Sequence, residues 1–321
     1  MTQQLRAVID CDPGVDDTMA IFFGLLCPDV DVVAITTVWG NTTVAQTTEN
    51  ALRLLEIIGQ PEILVAPGAA RPLLGPEPTF AHHVHGADGQ GNTQLPPPTL
   101  KPADESAVDT LIRLAHEQPG QLTLVPIGPL TNVAQALTRD PSIAQLYKKV
   151  VLMGGAFLSH GNVSRFGEAN VWHDPEAAQL VFDAGWPIVA VGLDVTHRAL
   201  LDQERLDQLR ATGTPWGVHL HRITDHYLNA YARHHGKRVC AMHDALALAI
   251  AADPSLVRAA PKVRVDVELH GQHTRGMTVG DFRPRPAGEA APDANAEVVL
   301  DVDVPRFLDW WLQVLSQDGR G

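Results

Sequence analysis

Apolar positions in this chain fall into short β-branched runs separated by segments with helical spacing. Ala7-Val8-Ile9 is the first such run and ends in Asp10-Cys11-Asp12. A Pro13-Gly14 turn follows, and from Asp16-Asp17 to Leu25 the apolar residues recur at helical intervals. Val30 to Val38 reads as a buried strand, Thr43 to Ile58 as a helix and Ile63 to Ala66 as a short third strand. The alternation resumes with a helix over Ser106 to His116, a strand over Leu122 to Ile127 and another over Lys149 to Met153. It continues with a helix opening at Asp174-Pro175-Glu176 and a strand over Ile188 to Leu193. Strands alternating with helices predict parallel pairing and right-handed crossovers.

The remainder is expected to be mainly helical, over Asp202 to Arg210, Pro215 to His234, Ala245 to Ala252 and Pro305 to Leu315. Val263 to His270, Gly276 to Val279 and Ala296 to Val302 alternate like antiparallel or edge strands. The expected fold class is therefore α/β: an open, mostly parallel central sheet flanked by helices, with a mainly helical C-terminal part and a few antiparallel edge strands. No internal repeat or long linker interrupts residues 1–321, which read as a single domain.

Two stretches break the pattern. Residues 67–102 are crowded with Pro, Gly and His, including Ala81-His82-His83-Val84-His85-Gly86, and so long a loop is usually functional or disordered. Three close histidines suit a transition metal, but their spacing fits no standard zinc pattern and Asp88 is the only acid beside them. A mobile loop covering a substrate is the better reading. Arg283 to Asn295, rich in Pro and Ala, reads as a loose surface loop.

Charge narrows the partners. A net charge of −13 argues against wrapping a nucleic acid, whereas an uncharged or cationic small ligand is compatible with it. Three cysteines (Cys11, Cys27, Cys240) form no disulfide framework and fit a reducing compartment. With no apolar run of membrane-spanning length and no secretory leader pattern, the expectation is a cytoplasmic protein with no membrane partner.

The candidate chemistry lies at strand ends. Asp10, Asp12, Asp16 and Asp17 place four carboxylates within eight residues, at the carboxyl end of a strand where open α/β sheets bind ligands. Such a cluster repels itself unless protons or a cation intervene. Helix capping by Asp accounts for one or two of the four, not all. An all-oxygen donor set with no cysteine suits calcium or magnesium, and Asp244, preceded by His243, is a natural distant ligand. Further strand-end loops carry Gly40-Asn41, Gly128 to Asn132, Gly154-Gly155, Gly161 to Asn170 and Asp194 to His197. Thr131 or Asn132 is placed to start a helix. Tyr227 and Tyr231 share a helix face, which by itself is more often core packing than a base-stacking platform.

DCDPGVDD at Asp10 to Asp17 resembles the signature of the inosine-uridine preferring nucleoside hydrolases. The likeness extends in order through ITTVWGN (35–41), HHVHG (82–86), VPIGPLTN (125–132), VVLMGG (150–155), GEANVWHDPEAA (167–178), GLDVTH (192–197) and MHD (242–244). It implies a Rossmann-like nucleoside hydrolase fold and hydrolysis of ribonucleosides to free base and ribose. It implies Ca2+ held by Asp12, Asp17, the Ile127 carbonyl and Asp244, with Asp12 also the base that activates a calcium-bound water. By the same resemblance Asp16, Asn41, Met153, Asn162, Glu168 and Asn170 hold the ribose. His83, Tyr227, Tyr231 and His243 surround the base, and His243 protonates the leaving group. A homodimer or homotetramer is implied as well. Ile127 stands where relatives often carry Thr, which a main-chain ligand survives, and Ala169 stands where well-known members carry Phe, which bears on substrate preference.

Two rival readings are kept. A haloacid-dehalogenase-like phosphatase also ends its first strand in Asp-x-Asp, but here Pro13-Gly14 follow and no lysine precedes Lys101. A non-catalytic calcium-dependent nucleoside-binding protein would keep the pocket without turnover.

Overall fold

A computed structural model of the chain describes residues 4–284, 286 and 293–317. Most of the expected 283–295 surface loop (285 and 287–292) lies outside the described residues.

The first strand, β1 (Leu5–Cys11), has no solvent-exposed face. Ala7, Ile9 and Cys11 enter a core on one side of the sheet and Val8 enters a second core on the other, as a strand covered on both sides requires. Helix α1 (Val15–Leu26) follows, then β2 (Val30–Thr37), α2 (Val44–Ile58) and β3 (Leu64–Pro67). Thr43 caps α2, its hydroxyl accepting from Gln46 N at 3.3 Å, and Gly59 closes it in a left-handed conformation. The 67–102 stretch contains one short helix, α3 (His82–His85).

Then come α4 (Ala107–Glu117), β4 (Thr123–Pro126), α5 (Thr131–Arg139), α6 (Ile143–Leu146), β5 (Lys149–Met153), α7 (Ala169–His173), α8 (Pro175–Asp183) and β6 (Ile188–Val191). The C-terminal part comprises α9 (Leu193–Thr196), β7 (Leu200–Asp202), α10 (Gln203–Ala211), α11 (Pro215–His235), β8 (Val239–Ala241), α12 (His243–Ala252), β9 (Val257–Ala259), β10 (Lys262–Val263), β11 (Val265–Val267), β12 (Thr278–Gly280), β13 (Ala296–Val298), β14 (Asp301–Val302) and α13 (Val304–Leu315).

The main sheet has eight strands in the order β10-β13-β6-β5-β4-β1-β2-β3, and every pairing is parallel except β10 with β13. The expected fold class is therefore the observed one. The chain runs outward from β1 through β2 to β3, then returns to place β4 on the other side of β1. That reversal makes the crevice above β1 and β4 a topological switch point, where such sheets bind ligands. One core holds α1, α2, α11, α12 and α13, and the other holds α4, α5 and α8.

The differences from expectation are local. Val263 to His270 is broken into β10 and β11, and only β11 and β12 form an antiparallel ribbon. Ala296 to Val302 divides into β13, which joins the main sheet parallel to β6, and β14, which pairs with β9. Alternation marks a half-buried strand but carries no information about its partner's direction. Leu193 opens α9 rather than ending a strand, and α6 and α7, each one turn or so long, are too short to leave a periodic signal. No helix among the described residues is long and apolar enough to cross a membrane.

Candidate active site

The β1 end disperses its four carboxylates. Along a pleated strand Asp10 points to the same face as Val8, toward α5. There Thr36 Oγ1 donates to its Oδ1 at 2.6 Å and Asn132 Nδ2 at 2.8 Å. Burial nonetheless pushes its pKa up to about 7. Asp10 thus lies beneath the site, its Oδ1 bonded and its Oδ2 buried without a partner. Asn132 holds it rather than capping α5, and Thr131 donates to Asp174 at 2.7 Å, so neither residue caps that helix.

Of the other three, Asp12 and Asp16 reach the crevice and Asp17 lies just behind it. Asp17 lies in the first turn of α1, its Oδ1 accepting from Asp12 N at 3.1 Å and Oδ2 from Gly14 N at 3.0 Å. It braces the signature turn as an N-terminal acid should, so the capping explanation holds for this one residue. Asp12 Oδ2 accepts from Asn41 N at 2.6 Å, while Asn41 Nδ2 reaches Asp12 O and Asp17 Oδ2, both at 3.1 Å. Asp12 Oδ1 and Asp16 Oδ1 are buried with no hydrogen-bond partner.

Asp244 arrives from the start of α12, which is capped by neither His243 nor Asp244. Asp16, Asp17 and Asp244 each present a carboxylate oxygen within 4.8 Å of the others. Burial first, then mutual repulsion, holds Asp12, Asp16 and Asp244 well above the usual carboxylate range, and burial raises Asp17 to about 6. Orphaned buried oxygens and a repelling all-oxygen donor set fit a hard divalent cation.

Glycines make room for this arrangement. A Cβ on Gly40 would lie 2.1 Å from Asp12 Oδ2, and one on Gly128 2.6 Å from Asp12 Oδ1. The 67–102 stretch supports the turn from behind. Asn50 Nδ2 donates to Pro13 O and to Asp88 O, each at 2.9 Å. Gln90 Nε2 donates to Gly14 O at 3.1 Å and to Thr18 Oγ1 at 3.0 Å, and Gln90 Oε1 is 3.0 Å from His219 Nε2. His85 is buried, with Nδ1 accepting from Val15 N at 3.2 Å and lying 3.7 Å from Asp16 Oδ1. Burial pushes its pKa down to about 3, so it sits there neutral. His82 and His83 are exposed. The histidine run is therefore one inward residue and two rim residues rather than a ligand triplet.

A cavity of about 580 Å³ opens above the β1 and β4 ends. Of the site residues that the resemblance implies, Asp12, Asp16, Asn41, His83, Ile127, Met153, Asn162, Glu168, Asn170, Tyr227, Tyr231, His243 and Asp244 line it, and Asp17 stands behind the wall, as does Asp10. On one side Glu168 caps α7, accepting from Asn170 N and Gly155 N, both at 2.9 Å. Asn170 Nδ2 bridges the main-chain oxygens of Ile127 at 2.9 Å and Met153 at 3.1 Å. The Ile127 carbonyl keeps a second lone pair for another partner.

Opposite, Tyr227 and Tyr231 have ring centroids 4.8 Å apart, and the Tyr231 hydroxyl is 2.7 Å from His243 Nε2. His243 Nδ1 lies 2.7 Å from Thr196 Oγ1. Burial, then the neighbouring His197 and His85, holds His243 well below its ordinary pKa, hence neutral. Thr196, His197 and Arg233 were not singled out as site residues. The first two lie in the GLDVTH segment, the one signal available, and Arg233 carries none.

A family profile described as inosine-uridine preferring nucleoside hydrolase matches residues 7–309. The chain is 39% identical over 316 residues to the inosine-uridine preferring nucleoside hydrolase of Leishmania major, covering 96% of each. It is 37% identical to a pyrimidine-specific ribonucleoside hydrolase of Citrobacter koseri, covering 95% of this chain and 96% of that one. Among solved structures it is similar to a purine-preferring ribonucleoside hydrolase from Gardnerella vaginalis, with a TM-score of 0.90, 37% identity and coverage of 97% and 98%.

Proposed function

We propose, from the premise that this chain belongs to the inosine-uridine preferring nucleoside hydrolase family and hydrolyses ribonucleosides, that Asp12 is the base and His243 with Tyr231 the acid of that reaction. The observation that carries this reading is Asp12 Oδ1, buried and partnerless at the cavity wall while Oδ2 is fixed by Asn41 N. One oxygen is anchored and the other is free to take a proton from the attacking water. Asp12, Asp17, the Ile127 carbonyl and Asp244 would hold a cation, which we take to be calcium, a reading that the all-oxygen donor set and the family resemblance support. Such a cation, when bound, orients the water and lowers its pKa.

The remaining steps belong to the chain. As the N-glycosidic bond lengthens, positive charge grows on the ribose, and Asp16 and Glu168 at the same wall stabilise it. Asn41, Met153, Asn162 and Asn170 position the sugar, a term that is large when the groups are fixed in advance. Water adds to the anomeric carbon, its proton passes to Asp12, and the departing base nitrogen takes a proton from the Tyr231–His243 pair, whose hydroxyl and Nε2 lie 2.7 Å apart; the pair recovers that proton from solvent as Asp12 releases its own. Incubation with inosine, adenosine, guanosine, uridine and cytidine, with free ribose measured, is the direct test. Absence of ribose release from all five would overturn the reading. The family match disfavours the phosphatase alternative.

Two variants probe the geometry. His243→Ala is expected to lose roughly 10²-fold or more on natural nucleosides and far less on a nitrophenyl riboside, whose leaving group needs no proton. Equal losses on both substrates would remove His243 from the acid role. Gly40→Ala drives a methyl group against Asp12 Oδ2 and is expected to lower kcat by roughly 10²-fold with circular dichroism unchanged. Full activity in that variant would show that the Asp12 position is not critical.

The described cysteines are free and buried, in keeping with a cytoplasmic enzyme of purine and pyrimidine salvage. We read residues 1–321 as one catalytic domain that works as a homodimer or homotetramer. Light scattering on the purified protein decides the assembly, and a monomer would overturn it.

A further inference from the structure

We propose that Arg233 is a specificity-determining residue that favours nucleobases bearing a ring carbonyl over those bearing an amino group at the same place. The inference rests on the preceding assignment of the base to the side lined by Tyr227, Tyr231 and His243.

The cavity is polarised. Asp12, Asp16, Glu168 and Asp244 supply buried carboxylates, whereas α11 lines the cavity with Tyr227, Ala230, Tyr231 and Arg233. Arg233 is the only lysine or arginine among the lining residues. Its neighbours on and beside the helix are committed: Arg222 donates to Thr93 O at 2.9 Å, and Arg238 pairs with Asp225 at 2.7 Å. Among the described residues Arg233 makes no such bond. The helix therefore presents an uncommitted cation, exposed to solvent, to the cavity, three residues beyond Ala230.

A guanidinium offers donors only and stays charged at every working pH. The 6-oxo group of hypoxanthine or guanine and the 4-oxo group of uracil accept from it, whereas the 6-amino group of adenine and the 4-amino group of cytosine set donor against donor. The chemistry enlarges this difference. When the glycosidic bond breaks, electron density passes to the departing base and gathers on a carbonyl oxygen but not on an amino nitrogen. The contact therefore strengthens in the transition state and acts on kcat as well as KM.

The test compares wild type, Arg233→Ala and Arg233→Lys, each loaded with calcium, on inosine, adenosine, uridine, cytidine and purine riboside, which has no substituent at carbon 6. Arg233→Ala is expected to lower kcat/KM for inosine and uridine roughly tenfold, with adenosine, cytidine and purine riboside changing by no more than about twofold. Lysine, a donor without the planar fork, restores part of the loss. Equal losses on all five substrates, or none on any, would overturn the proposal while leaving the nucleoside reading in place. A wild-type protein that releases ribose from none of the five overturns both.

Discussion

Asp12→Ala is expected to abolish ribose release while the protein stays folded. General-base assistance alone is worth ~10²–10⁴-fold, and the variant also loses a carboxylate from the cation-binding group. The fold should survive because Asp12 lies beyond the end of β1 and carries no core packing. Its side chain accepts one hydrogen bond, from Asn41 N, and otherwise brings an uncompensated charge into a buried site. Cation-free Asp12→Ala is therefore expected to melt no lower than the cation-free wild type, and to show little of the gain that calcium gives the wild type. Turnover at wild-type level would remove Asp12 from the mechanism. A wild type that binds inosine in calorimetry yet releases no ribose would instead favour a binding protein.

Removing the cation should have the second largest effect, on activity and on the sign of the pH dependence of stability. A chelator is expected to stop turnover and excess calcium to restore it. The carboxylates of the unfolded chain ionise near pH ~4. In the fold Asp17 is pushed up to about 6, and Asp12, Asp16 and Asp244 are held well above the usual range by burial and by one another. Between those values the folded protein binds more protons than the unfolded chain, so the stability of the cation-free protein falls as pH rises. A bound cation replaces those protons and favours the ionised carboxylates. The Tm gain from calcium should therefore be small near pH 5 and grow through pH 6 to 8. Thermal melts in chelator and in excess calcium across that range check it, and parallel curves would show that these carboxylates are not the ligands. Inward carboxylates paired with a histidine held neutral make the site one that needs its cation before it holds its charges.

The carboxylate cluster at the end of β1 was legible in the sequence because it is local, whereas Asp244 joins it only through the fold. Asp12, Asp16 and Asp17 lie within one strand-turn-helix unit, and spacing alone brings them to one strand end. Strand and helix alternation likewise predicted the parallel sheet, since period and residue type are properties of neighbours in the chain. Only the tertiary structure decided what the sheet order and the pleat impose. Placing β4 beside β1 brings the Ile127 carbonyl to the signature turn, and the pleat turns Asp10 away to Thr36 and Asn132. The same packing presses Asn50 and Gln90 against Pro13 and Gly14, puts Thr196 behind His243 and swings Arg233 over the cavity. Those contacts join residues tens to over a hundred positions apart, and burial of two cores against one sheet, rather than any local preference, selects them.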